Sequence, residues 1–215
     1  MRGRALARLR QARRNEEGAA LVEFAIVSVL LFTLLFGIVE FGLAFRDRLT
    51  MANASQSAAR VLAALGNEDD SDFQALSSLA TTLETLPNSG VDVVKYVDIY
   101  KADIDGNPVG SCPANEGPGD RCTRFLYDPV NYAPCNWEPC PDPAIDPLYD
   151  GAGWPFAARD VGVPDLDIAV VRVTFGHEWV TGSIVPLPDA SCTSPPANCW
   201  EDIAILRLEP KVFAP

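Results

Sequence analysis

The first residues whose spacing could support chemistry are Gly18 and Glu23, at the start of a long apolar stretch. A small residue lets a peptidase approach the backbone closely, and a cut after Gly18 would make Ala19 a free α-amine. Glu23 lies one helical turn, about 6 Å, beyond that amine. A carboxylate in an apolar zone costs about 2.5 to 3.5 kcal/mol, so the amine of a neighbouring, axially shifted helix would be a favourable partner. Alternatively, Glu23 merely extends its side chain toward lipid headgroups.

The apolar stretch is predicted to be a transmembrane helix over residues 19–45. Its 27 residues would reach about 40 Å as a helix, whereas a hydrocarbon core measures about 30 Å. Six arginines precede it in the basic leader, residues 1–18, against Arg46 and Arg48 behind it. This bias predicts a cytoplasmic N-terminus and an exported C-terminal part. The stretch is too long for a secretory signal peptide, whose apolar part has about 7 to 15 residues.

The basic leader, Gly18, Glu23, Phe24 and the apolar helix together resemble a type IV prepilin of the tight-adherence (Tad/Flp) branch. Residues 18–66 are similar to the TadE-like (TadE/TadG) pseudopilin family in VEFA, FGIVEFG and the later NAS…AAR segment, and LRLEP near the C-terminus adds a weaker similarity. The resemblance implies that a prepilin peptidase cuts between Gly18 and Ala19 and that Glu23 guides cleavage or assembly. Phe24, where Flp pilins have tyrosine, favours a minor pseudopilin.

The same resemblance implies where the chain works and with what. It implies a single-pass protein of the bacterial inner (cytoplasmic) membrane whose C-terminal domain is periplasmic or extracellular. The implied partners are the inner membrane, the prepilin peptidase, and other pilins and pseudopilins of a Tad apparatus.

Two helices are predicted around the start of the exported domain. Residues 46–66 contain no proline and no glycine before Gly66, so they should continue the first helix as far as that glycine. Leucines at spacings of three and four predict a second helix over Ser71–Leu86, capped by Asp70 or Ser71 and stopped by Pro87.

The rest of the exported domain, residues 67–215, is predicted to add a small antiparallel sheet packed on the helix, which gives an α+β fold. Its strands are expected at Val91–Asp103, Ile168–Phe175 and Ile203–Leu208. An insert at residues 106–166 is crowded with Pro, Gly, Asn and Asp, so it is expected to be irregular and exposed at the surface.

Cysteine placement predicts disulfide-stapled loops. All six cysteines follow the apolar stretch, at Cys112, Cys122, Cys135, Cys140, Cys192 and Cys199. An even set outside the cytoplasm indicates disulfides, although six cysteines allow 15 pairings. Because short loops close most easily, nearest neighbours are expected to pair. Zinc is the alternative, but there is no CxxC spacing and only one histidine.

No other pattern predicts catalysis, a metal or a cofactor, so the chain is not expected to be an enzyme. His177 is outside any HExxH motif and is expected to be structural. Asp103, Asp105 and Asn107 imitate the start of a calcium loop, but Pro108 stands in place of its glycine, so a hairpin turn is expected.

Charge excludes one class of partner. The net charge is −12, and removing residues 1–18, with six Arg and two Glu, leaves about −16, which argues against nucleic acid. Glu40, near the outer end of the apolar helix, is expected to snorkel, and Arg60 is expected to lie on a solvated helix face.

Two functions remain open from the sequence. The first is a minor pseudopilin, cleaved after Gly18, that takes part in assembly of a Tad-type adhesive pilus through packing and charge pairing. The alternative is an uncleaved, membrane-anchored module that binds cell wall or surface, as TadG-like relatives would.

Overall fold

The computed structural model describes residues 2–86, 90, 93–112, 120–182, 187–193, 195 and 197–211, and only the backbone of residues 2–17. The chain divides into two compact units. One consists of Met1–Leu43 with Trp179–Leu187, and the other consists of Ala44–Glu178 with Pro188–Pro215.

The first helix, α1 (Arg2–Leu65), belongs to the first unit as far as Leu43 and to the second unit from Ala44 onward. From Gly18 onward it is long and apolar enough to cross a membrane, as the sequence predicted. Its apolar side chains are exposed, for example Phe24 at 72% and Ile38 at 73%. The helix is longer than expected because it begins in the leader, where Ala, Leu, Arg and Gln are all good helix formers.

In the second unit, α1 ends where the sequence placed its end. Gly66 has φ of +59°, a left-handed conformation that suits glycine, and its N–H donates to the Leu62 carbonyl at 2.8 Å. The second helix, α2 (Ser71–Leu83), is three residues shorter than predicted. The expected side-chain cap is wrong: Asp70 makes no capping bond, and its carboxylate accepts from the Gln74 amide at 3.3 Å. Pro87 lies outside the described residues.

Five antiparallel strands form one sheet in the order β3-β2-β1-β4-β5. Their bounds are β1 Val94–Ala102, β2 Cys122–Tyr127, β3 Trp137–Glu138, β4 Ile168–Phe175 and β5 Trp200–Arg207. The predicted α+β class is confirmed, and β4 has the predicted bounds. Strand β5 begins three residues earlier than expected, and residues 91 and 92 of the first predicted strand lie outside the described residues.

The expectation of an irregular, exposed insert at 106–166 is wrong in part. Strands β2 and β3 lie within it, and a 3₁₀ turn follows at Phe156–Ala158. Phe125 and Trp154 are completely buried. Single aromatic residues attach these loops to the core. Because such residues follow no periodic pattern, the Pro- and Gly-rich composition gave no indication that the loops would be buried.

The core lies on one face of the sheet, where α1 and α2 pack. Inward side chains alternate along the strands, as Val97 and Ile99 do on β1, and they meet Leu62 of α1 and Leu79 of α2. The opposite face has a smaller apolar cluster that includes Tyr100, Cys122 and Val170. The two central strands, β1 and β4, are therefore buried on both faces.

Disulfides join the nearest neighbours, as expected from the sequence. The bonds are Cys112–Cys122, Cys135–Cys140 and Cys192–Cys199, which leaves no free cysteine. Each bond closes a segment of no more than ten residues. Zinc ligation by these thiolates is excluded while the bonds are formed.

Aspartates organise the loops by a repeated local contact. In each case a carboxylate accepts the backbone N–H two residues later, which fixes a turn. The residues that do this are Asp103, Asp128, Asp142, Asp146, Asp150, Asp160 and Asp189. At Asp103 the same oxygen also accepts the Asn107 N–H at 2.8 Å, so the predicted hairpin turn is present. Seven of the 29 acidic residues of the chain therefore have a structural role in turns.

These contacts make the free energy of unfolding depend on pH in the acidic range. Hydrogen bonds from the backbone N–H of Asn107 hold the pKa of Asp103 below its usual value, and the pKa of Asp128 and of Asp189 is lowered in the same way. A carboxyl group whose pKa is lower in the folded state than in the unfolded state, where it is near 3.8, stabilises the fold above that pH. This contribution is lost as the pH falls through the pKa of the folded state.

We expect the Asp103→Asn variant to lose less stability than the wild type between pH 5 and pH 2, because the amide oxygen still accepts the N–H groups but binds no proton. Denaturant midpoints of the full chain in detergent at both pH values measure this difference. Equal losses in the two proteins would show that the Asp103 turn does not contribute to acid unfolding.

Candidate processing and assembly site

The predicted processing and assembly residues lie on one exposed stretch of α1. Gly18 is inside the helix, and a Cβ placed on it would meet nothing within 4 Å. Ala19 and Glu23 are four residues apart, on nearly the same side of the helix, and both are exposed. Phe24 is 72% exposed. The stretch thus presents a carboxylate and an aromatic ring outward, beside a glycine that no described side chain covers.

Within the described part of the chain, Glu23 has no hydrogen bond or ion pair. This distinguishes it from the other carboxylates in poorly hydrated positions, which have partners in the chain. A cation that neutralises Glu23 would have to come from elsewhere, for example from the leader, from lipid or from another subunit.

Glu40 contradicts its prediction. Its side chain is completely buried and does not snorkel, although it stands between Val39 and Phe41, which are 50% and 60% exposed. Its carboxylate accepts the backbone N–H of Val180 at 3.0 Å and also that of Thr181. The position of Glu40 along the helix predicted its depth in a membrane. Nothing in the sequence indicated that it would bond to a loop 140 residues away.

A second charged group missed by the sequence reasoning lies on the sheet face opposite the helices. Asp98 on β1 is fully buried and accepts two bonds from Arg124 on β2, at 2.7 and 2.9 Å. Arg172 on β4 adds bonds of 2.6 and 3.1 Å. The sheet register places both arginines directly opposite Asp98. A signal existed in the sequence, since β2 and β4 each have a single arginine among their residues and Asp98 is the one acidic residue of β1.

This Arg–Asp–Arg ladder does not form a metal site. Asp98 lies near Cys112 and Cys122, a grouping that could in principle hold a cation. The two sulfurs are bonded to each other, and two guanidinium groups already occupy the carboxylate. The Arg124 guanidinium also stacks on the Tyr96 ring at 3.6 Å, so the ladder works as a cross-strand brace.

A third charged cluster ties the helices to the loops. Arg159 and Asp72 are fully buried, and their side chains approach to 2.8 Å. The same guanidinium donates to Ser71 at 2.8 Å and to the Trp154 carbonyl at 3.1 Å. Tyr149 donates to Asp72 at 2.7 Å, and burial, followed by the nearby Asp72 charge, raises the pKa of its hydroxyl. The Arg159 guanidinium thus bonds Asp72 of α2, Ser71 and the loop carbonyl of Trp154, and these contacts hold the helix and the loop together.

Other residues that the sequence singled out are also structural. His177 is 4% exposed, its Nδ1 lies 2.7 Å from the Asp47 carboxylate, and its ring stacks on Trp200. Arg60 is exposed on α1, as expected of a solvated helix face.

The fold and the exposed stretch define a class of protein: one apolar helix of membrane-spanning length, followed by a disulfide-bonded α+β domain. Residues 18–60 match the family model of TadE-like proteins. The match begins at Gly18 and covers the apolar helix, so this segment of the chain is similar to TadE-like proteins, as its residues indicated. No significant match was found among curated proteins or solved structures.

We expect a double-mutant cycle to show that Asp72 and Arg159 act as a pair. Either Asp72→Asn or Arg159→Met alone should lower the free energy of unfolding by about 3 to 5 kcal/mol, because each leaves a buried group without its partner. The double variant should lose clearly less than the sum of the two. Denaturant unfolding followed by tryptophan fluorescence measures these values.

Lys211→Met is the matched control, because its ion pair with Glu68 is partly exposed and should contribute about 1 kcal/mol or less. Additive losses at Asp72 and Arg159 would contradict the coupling.

Proposed function

We propose that this protein is a minor pseudopilin that takes part in assembly of a Tad-type adhesive pilus, after a prepilin peptidase cuts it between Gly18 and Ala19. The observation that carries the proposal is the TadE-like match, which starts at Gly18 and extends along the helix. In this proposal the protein lies in the bacterial inner membrane, with the leader in the cytoplasm and the α+β domain outside. Its partners are the peptidase and other pilins and pseudopilins.

The surface of α1 supports a packing role. Its apolar side chains are exposed over the span, so other helices or lipid would cover them. Cleavage would free the Ala19 amine about one turn from Glu23, and that amine could neutralise the Glu23 of a neighbouring subunit whose helix is shifted along the axis. Assembly would then depend on packing and on charge pairing.

A non-catalytic role agrees with the state of the buried charges. Within the described residues, the charged side chains of each of the two buried clusters of the domain are bonded to one another, as expected of structural contacts. We therefore propose that the α+β domain is an interaction domain and not an enzyme.

We expect Gly18→Ala to abolish processing, so that the leader stays on the protein recovered from membranes. The structure leaves room for the added methyl group, so the loss would arise in the peptidase site and not in the helix. Gly37→Ala and Gly42→Ala are matched controls, since a Cβ at either position also meets nothing within 4 Å. N-terminal sequencing and intact mass give the readout.

Alanine also favours helix by about 1 kcal/mol over glycine, which could by itself slow cleavage. The double variant Gly18→Ala/Ala20→Gly restores the helix propensity, and it should remain uncleaved. An intact leader on the wild-type protein would overturn the proposal in favour of an uncleaved membrane-anchored module that binds cell wall or surface.

Glu23 is expected to act in assembly through its charge. Glu23→Gln and Glu23→Val should reduce the pili recovered by shearing about tenfold or more, because losing 1.4 kcal/mol of charge pairing already corresponds to a factor of ten. Glu84→Gln, at an exposed carboxylate of the domain, is the control. Unchanged processing and unchanged piliation in both Glu23 variants would exclude the assembly role.

A further inference from the structure

The loop that begins at Trp179 lies against the apolar helix and belongs to the first unit. By its contacts Trp179–Leu187 groups with residues up to Leu43 and not with the α+β domain. Two contacts define the attachment. The Glu40 carboxylate accepts two consecutive backbone N–H groups, from Val180 and Thr181, and the Trp179 ring meets the Phe41 ring edge to face at 6.2 Å.

The attachment point lies one bilayer core away from Gly18. The 22 residues from Gly18 to Glu40 rise about 33 Å as a helix, and the hydrocarbon core of a bilayer measures about 30 Å. If the start of the span lies at one interface, Glu40 lies at the other. Tryptophan is enriched at such interfaces, where its ring is apolar and its N–H can reach water.

The chemistry of the loop fits that depth. Backbone N–H groups near hydrocarbon must have partners, and Glu40 provides them for two successive residues. In exchange, two N–H donors solvate a carboxylate that would otherwise be expensive next to lipid. Val180, between these contacts, directs an apolar side chain outward and is 73% exposed.

We propose that Trp179–Thr181 is a second membrane-contacting element, held on α1 by Glu40, which places Trp179 and Val180 in the outer interface of the bilayer. The occupant of this surface is lipid. The inference rests on the proposed insertion of α1 in a membrane, but not on cleavage at Gly18 or on incorporation into a pilus.

The test uses the full, uncleaved chain in phosphatidylcholine vesicles with and without brominated acyl chains, which quench tryptophans that reach the lipid. The chain has four tryptophans, and Trp137 and Trp154 are buried in the domain. We expect brominated lipid to remove up to about one quarter of the wild-type emission, since one of the four rings is in lipid. Trp179→Phe should eliminate this loss.

Two further variants keep the test independent of any folding defect at Trp179. Val180→Trp in the Trp179→Phe background should restore the quenching, because position 180 is exposed and adjacent. Glu40→Ala should reduce the quenching by releasing the loop, whereas Glu23→Ala, about 26 Å away along the helix, should leave it unchanged.

Flotation with the vesicles separates this inference from the proposed function. A wild-type protein that floats, but is quenched no more than Trp179→Phe, would overturn the inference alone. A wild-type protein that does not float would overturn membrane insertion and with it both proposals.

Discussion

A charge in a poorly hydrated place must be neutralised by bonded partners, and this constraint governs the whole chain. Arg159 and Asp72 satisfy each other, two arginines satisfy Asp98, and two backbone N–H groups satisfy Glu40. Each solution brings together segments that are distant in sequence. The helices are joined to the loops, three strands are braced together, and a loop is attached to the apolar helix.

Glu23 is the exception, and its position explains why. It lies on the part of α1 with the greatest apolar exposure, where the described part of the chain provides no partner. A cation from the leader, from lipid or from another subunit would neutralise this carboxylate. The same physical rule that fixes the fold of the domain thus supports the proposal that Glu23 pairs with a group outside the described part of the chain.

Many acidic residues of the chain have a role that its composition does not indicate. An excess of aspartate is commonly interpreted as a solubilising surface or as a source of cation ligands. Here many aspartates bond the backbone two residues ahead and so define the turns of long connections. The long connections of the domain need such local bonds, since their backbone N–H groups find few partners in helices or strands.

The sequence predicted those elements whose pattern is local. The apolar run revealed α1, Gly66 its end, leucine spacing revealed α2, and β-branched runs revealed β1, β4 and β5. Strand β2 was missed because its six residues lie within Pro- and Gly-rich flanks, and β3 because it has only two. For the candidate site, Gly18, Glu23 and Phe24 could be proposed from the sequence because their spacing is local, and their roles stay predictions. Glu40 was misjudged and Asp98 missed because their partners are set by tertiary contacts and strand register.

The short span of each disulfide has a mechanical consequence. None of the three bonds joins α1 to the sheet, since α1 contains no cysteine and each bond closes a loop of ten residues or fewer. A pull on the helix is therefore resisted by apolar packing around Leu62 and by a few polar contacts, such as Ser55 with Asp202 and the Glu209 N–H with the Ala63 carbonyl. The disulfides stiffen the loops, but the contacts that would resist a pull on α1 are non-covalent. Such contacts can break and re-form without any change of redox state.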